Sequence, residues 1–96
     1  MNPRAAHFGA EEVDLRKVVF TPELLACVPA ECAWRYRALP VFSSRGMLRL
    51  ALADPSDLDA IDSLHRLLHR DLELCVAEAS QVDEFIRRLY GREGTG

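Results

Sequence analysis

The chain predicts a single α+β domain, with a three-stranded mixed sheet packed with helices in the order α-α-β-β-α-β-α. Three observations point to this. Leu39-Pro40-Val41-Phe42-Ser43 and Met47-Leu48-Arg49-Leu50-Ala51-Leu52-Ala53 flank a Ser44-Arg45-Gly46 turn, which reads as a β-hairpin. From Asp57 to about His69, apolar residues recur at three-and-four spacing, which reads as an amphipathic helix. Leu72-Glu73-Leu74-Cys75-Val76-Ala77 follows as a third strand, so a strand–helix–strand unit closes as a parallel crossover beside the second strand. Ninety-six residues make one small domain with one modest core.

Each element has its own local reason. Residues 1–12 show no periodicity and read as a flexible N-terminal arm; order begins at Val13, and the domain runs over 13–91. Thr21-Pro22-Glu23 is a helix start, because threonine accepts from orphan amides and proline fits the first helical position. Pro29 ends that short helix and opens a second through Trp34 and Arg35. In the hairpin's second strand Leu48, Leu50 and Leu52 share one face, and Arg49 takes the other beside Ala51 and Ala53. Asp54-Pro55-Ser56 breaks the strand, and Ser56 with Asp59 resembles a capping box. Leu58, Ile61, Leu64, His65 and Leu68 form the inner face of the following helix. Ser80 with Asp83 marks a last helix, whose face is Val82, Phe85, Ile86, Leu89 and Tyr90. Asp83–Arg87 and Glu84–Arg88 are acid-before-base pairs on its outer side. Gly91 caps it, and 92–96 is a tail or linker.

Chemistry is sparse. A net charge of −3 disfavours binding to nucleic acid through overall charge. No apolar run approaches the roughly 18 residues that cross a bilayer, so direct membrane insertion is not expected. The five glycines stand apart and Lys17 is the sole lysine, so the chain holds no phosphate-cradling loop for ATP hydrolysis. His65 and His69 lie four apart, but Arg66 between them opposes a dication and no third ligand is evident. His65 reads instead as a residue at the core edge, and His69 as a partner of the helix C-terminal dipole. Asp54, Asp57, Asp59 and Asp62 surround a helix start, where the dipole favours acids, and they lack the glycine and spacing of a calcium loop. Ser43 and Ser44 belong to no nucleophile elbow. Cys27, Cys32 and Cys75 match neither a zinc site nor a disulfide framework, and Cys75 reads as a small buried hydrophobe. The expectation is therefore a non-enzyme with no catalytic, cofactor-binding or metal-ligating residue.

One segment stands out for binding. Trp34-Arg35-Tyr36-Arg37 joins aromatics to arginine, a composition enriched at binding hot spots. Glu31 can serve Arg35 at helical spacing, but no acid is placed to serve Arg37. Arg87 and Arg88 are second candidates, already explained by Asp83 and Glu84. Trp34, Arg35 and Arg37 are therefore the expected border of a partner-binding surface.

The order Leu39-Pro40-Val41-Phe42, Leu48-Arg49-Leu50-Ala51-Leu52-Ala53-Asp54-Pro55, Asp59-Ala60-Ile61-Asp62-Ser63-Leu64 and Ile86 through Gly91 resembles a known module. It is similar to the N-terminal domain of the type II secretion and type IV pilus assembly ATPases, the general secretory pathway protein E family. The likeness spans about residues 13–91, and its ADPxDxxAID-like segment is the most specific part. It implies a cytoplasmic, non-catalytic docking domain, held at the inner membrane through the cytoplasmic domain of a secretion or pilus platform protein. The alternative it implies is a cyclic di-GMP sensor, since some members bind that ligand through paired helical motifs. Neither the RLG triplet nor the L-x-x-Q helix of those motifs stands before Val13. A Walker A motif downstream of Gly96 would make this the docking domain of a motor.

Overall fold

The computed structural model describes residues 11–91. Its elements are β1 (Glu11–Glu12), a 3-10 turn (Leu15–Lys17), α1 (Pro22–Leu25), α2 (Ala30–Tyr36), β2 (Ala38–Ser44), β3 (Met47–Leu52), α3 (Leu58–Leu68), β4 (Asp71–Val76) and α4 (Ala79–Tyr90). The sheet runs β1-β4-β3-β2. The hairpin pair β2–β3 is antiparallel, and β3–β4 is parallel, as the crossover through α3 requires. Gly46 sits at φ 69 in the hairpin turn, the left-handed conformation that glycine adopts without a steric cost.

The mixed α+β class holds, but the expected three strands are four. Glu11 and Glu12, assigned from sequence to the arm, pair in parallel with Cys75 and Val76. The next amide, Val13 N–H, donates to Val76 C=O at 2.8 Å. Both glutamate side chains are exposed, so this strand shows no apolar alternation to read. Backbone pairing and an ion pair from Arg49 to Glu11 hold it in place. The rest of the arm, 1–10, and the tail, 92–96, lie outside the described residues.

Helix boundaries follow their caps. Thr21 Oγ1 accepts from Leu24 N–H at 3.1 Å, with Pro22 at the first helical position, as the sequence implies. The capping box at Ser56 does not form. Asp57 caps α3, its Oδ1 accepting from Ala60 N–H at 3.1 Å, while Asp54 Oδ1 accepts from both Ser56 N–H and Ser56 Oγ. A carboxylate one residue on outcompetes the hydroxyl for the same orphan amides. At α4, Ser80 is inside the helix rather than before it; Glu78 takes the N-cap position, and Ser80 Oγ donates to its carboxylate at 2.6 Å.

Burial in the sheet is graded from end to end. Leu48, Leu50 and Leu52 are buried on the face the period of two assigns them. At the Leu52 end the other face is also closed, since Ala51 and Cys75 have no exposure. Towards the hairpin turn the covering recedes: Phe42, Ser43 and Ser44 are exposed, and Asp71 through Leu74 alternate between exposed and half-buried. Leu64 of α3 and Val82 and Ile86 of α4 join the same core. Two residues of the expected α3 face lie outside it. Leu58 is 73% exposed and His65 is exposed, because Ala60 and Leu64 define the direction that α3 buries.

Candidate functional site

The residues singled out for partner binding sit on the seam between α2 and α4. α2 buries Cys32 and Ala33, which turns Trp34 and Arg35 outward. Trp34 is half-buried, and its Nε1 donates to Gly91 C=O at 3.1 Å, so the indole lies over the last turn of α4. Arg35 is exposed and forms no ion pair with any described residue; Glu31, one turn back, does not reach it.

Arg37 behaves differently from the sequence expectation. It caps α2 in the left-handed conformation, φ 50, a strained position for a residue with a Cβ, costing about 1 kcal/mol. Leaving the helix this way swings its side chain across to α4. Nε donates to Asp83 Oδ1 at 2.9 Å and Nη2 to Asp83 Oδ2 at 2.8 Å, a bidentate fork, with a further contact from Nη2 to Ala79 C=O at 3.4 Å. Arg37 therefore has an acid after all. Asp83, expected to serve Arg87, serves Arg37 instead, and Arg87 is left exposed without an ion pair among the described residues. The planar guanidinium accepts only certain approaches, and the cap presents Arg37 in the right one. The Glu84–Arg88 pair forms as expected, at 2.9 Å, with the Arg88 guanidinium also 5.8 Å from the Phe85 ring centre. Nothing local signals the Arg37–Asp83 pair, whose members are 46 residues apart.

The other candidates resolve into structural roles. His69 ends α3 at φ 52, and its N–H donates to His65 C=O. Among the described residues no three His, Cys, Asp or Glu side chains gather as a metal site would require. Ser43 Oγ accepts from Arg70 Nη2 at 2.8 Å, and the same guanidinium bonds Ser44 C=O, Met47 C=O and, through Nη1, Cys27 Sγ at 3.2 Å. The three cysteines are free thiols. Burial pushes the Cys75 thiol up to about 11, consistent with a small buried hydrophobe rather than a nucleophile. Burial likewise raises the Tyr90 phenol, whose O–H donates to Leu25 C=O at 3.0 Å and ties α4 to α1.

A second charged cluster escaped the sequence reading. Arg49 forms ion pairs with Glu11 and with Glu73, the latter through Nε at 3.1 Å without the alignment of a hydrogen bond. Phe42, Arg49 and Glu73 occupy one row across β2, β3 and β4. The strand pattern could have placed Arg49 on the face opposite Leu50, but only the parallel register puts Glu73 beside it.

Such a domain is an α+β module with charged, partly paired helix faces, and no helix among its described residues is long and apolar enough to cross a membrane. Residues 8–96 match the family model described as the MshEN domain, and the chain belongs to that family. It is 30% identical over 87 residues to the type IV pilus assembly ATPase PilB of Myxococcus xanthus (strain DK1622), a match that covers 91% of this chain and 15% of that protein. Among solved structures, it superposes on that of MshE with cdg with a TM-score of 0.84 and 28% identity, covering 91% of this chain and 63% of the other. The structure of the N-terminal domain of XpsE matches with a TM-score of 0.71 and 28% identity, over 88% of this chain and 60% of that one. The chain thus spans less than two thirds of the relatives it matches. It is homologous to the N-terminal domains of type II secretion and type IV pilus ATPases, the family its sequence resembles.

Proposed function

We propose that this domain is a non-catalytic docking module of a secretion or pilus-assembly ATPase. It joins the motor to the cytoplasmic domain of an inner-membrane platform protein and so works at the cytoplasmic face without entering the bilayer. The α2–α4 seam, bordered by Trp34, Arg35 and Arg37, is the surface that meets this partner.

The observation that carries the reading is Arg35, an exposed cation with no acid of its own beside an indole already fixed in place. A fixed aromatic beside a free guanidinium loses little side-chain entropy on binding, which suits a hot spot. Arg37 borders the surface with its charge engaged, so reversing it would set two carboxylates against each other and disturb the fold. Arg35→Glu is the cleaner test. The variant is expected to keep its circular dichroism spectrum and to lose at least tenfold in capture of the platform protein's cytoplasmic domain. Undiminished capture by a folded variant would place the site elsewhere.

A second reading, a cyclic di-GMP-sensing domain, is favoured by the likeness to the structure of MshE with cdg. Calorimetry with cyclic di-GMP separates the two, and micromolar binding by residues 1–96 would put sensing first.

A further inference from the structure

The sequence sets Arg87 aside as the partner of Asp83, and the fold reverses that assignment. Asp83 and Arg87 lie one turn apart on α4, the spacing at which an acid and a base meet on a helix surface. Arg37 instead holds both carboxylate oxygens of Asp83, at 2.9 and 2.8 Å, and Arg87 forms no ion pair with any described residue. The rest of α4 offers no substitute, because Glu84 pairs with Arg88. α2 supplies one acid, Glu31, which stands in its first turn, where the helix dipole favours a carboxylate, and pairs with no described cation.

The two helices run in opposite senses along the seam. Arg37, at the C-terminal end of α2, is tied to Asp83 in the first half of α4, and Trp34, one turn earlier, to Gly91 just past its end. Arg87 stands between these ties, one turn from each. The Trp34 indole lies over the last turn of α4, the turn that carries Arg87, and Arg35 follows Trp34 in the chain. Two exposed guanidiniums without ion pairs thus flank one fixed indole. On these helices the pairs Arg37–Asp83 and Arg88–Glu84 cancel, which leaves Arg35 and Arg87 against Glu31 alone. The seam is cationic on a chain whose net charge is −3. Such a surface favours opposite charge on a partner, and the weakly hydrated guanidinium loses little when it is covered.

We propose that Arg87 is a further partner-contact residue, and that the partner presents an acidic segment whose carboxylates pair with Arg35 and Arg87 on either side of Trp34. The Arg37–Asp83 fork is what keeps Arg87 available. Arg37 is therefore a positioning residue, which acts by holding Asp83 away from Arg87. The inference rests on the docking reading, which makes the partner a protein.

The test uses the 96-residue chain and two acetylated peptides with a central leucine, one carrying glutamates on either side of it and the other glutamines. Chemical-shift titration with the glutamate peptide is expected to move the Arg35 and Arg87 Nε–H and Trp34 Nε1–H signals, and the glutamine peptide should bind several-fold more weakly. Arg87→Gln, at an exposed position, should keep the spectrum and weaken the glutamate peptide about threefold, the size of an exposed charge contact. Arg37→Gln should weaken it by a similar factor, because Asp83 then turns to Arg87, and should add nothing further to Arg87→Gln. No binding of the glutamate peptide, equal binding of both peptides, or binding undiminished by Arg87→Gln would overturn the proposal. So would an Arg37→Gln loss that persists without Arg87, or inorganic phosphate that moves the same signals at the same concentration, since a free anion would then be the occupant. Capture of the platform protein's cytoplasmic domain is expected to fall with the same variants. Absence of that capture beside the full peptide result would sink the docking reading and leave the carboxylate site standing.

Discussion

The two ends of the sheet are made by the same strands and differ in almost every physical respect. At the far end, Leu50, Ala51, Leu52, Cys75 and Val76 are buried on both faces, with Ala38, Leu39 and Pro40 alongside. At the hairpin end Leu48 is still buried, but its neighbours Phe42, Met47, Arg49 and Glu73 meet solvent or one another. On the leucine face Leu48, Leu50 and Leu52 are covered along the whole of β3, while Leu72 and Leu74 beside them are half-buried; the Arg49 face is covered only where small side chains, Ala51 and Cys75, allow close approach. One end of the domain is therefore committed to stability. The other is free for contacts.

That contrast predicts very unequal responses to similar substitutions. The largest belongs to Leu50→Asp, which places a carboxylate where no water reaches. Its expected cost is several kcal/mol, about 4 or more, enough to unfold much of a small domain in a urea titration. Phe42→Asp, the same charge on the adjacent strand at the open end, should change stability by less than about 1 kcal/mol. If both variants unfold alike, the two ends are one cooperative core and the contrast fails.

A middle effect is expected at the seam that closes the helices. Trp34→Phe keeps the ring and removes the bond to Gly91 C=O, so it should cost about 1 kcal/mol by thermal unfolding. Arg37→Gln should cost less, within about 1 kcal/mol, because both partners are more than two-fifths exposed and solvent screens the pair. High salt should narrow the gap between wild type and this variant while leaving the Trp34→Phe difference nearly unchanged.

The smallest effect sharpens the picture at the domain's entrance. The Arg16 guanidinium and the Arg16 backbone N–H together hold the Asp14 carboxyl at about 2, well below its ordinary 3.8. A lowered folded-state value means that the stabilisation is fully present above the ordinary value and is lost as the pH falls through about 2. NMR titration of Asp14 should show that low midpoint, and Arg16→Ala should return it towards 3.8 and remove the stabilisation that the shift contributes at neutral pH.

Legibility tracked distance along the chain. The hairpin, the parallel crossover, α3 over Leu58–Leu68 and the buried face of α4 follow from apolar periods and turn residues lying within a few positions of one another. Cap residues were less legible: Asp57 and Ser56 compete for the same amides, and the winner depends on where the helix axis begins. The candidate surface was half legible. Trp34 and Arg35 were marked by composition, but which arginine is free and which is paired was not.

What the sequence determined by itself is the set of repeating one-dimensional signals: which residues are strand or helix, and which side of each turns inward. Leu48, Leu50 and Leu52 had one possible face, and Val82 with Ile86 likewise. Tertiary structure alone decided the partnerships between elements. It recruited Glu11–Glu12 as a fourth strand, matched Arg37 to Asp83, and left Leu58 outside the core. The reason is physical. Burial along a helix or strand repeats with the backbone and leaves its period in the sequence, whereas an ion pair is a single meeting of distant residues and leaves none.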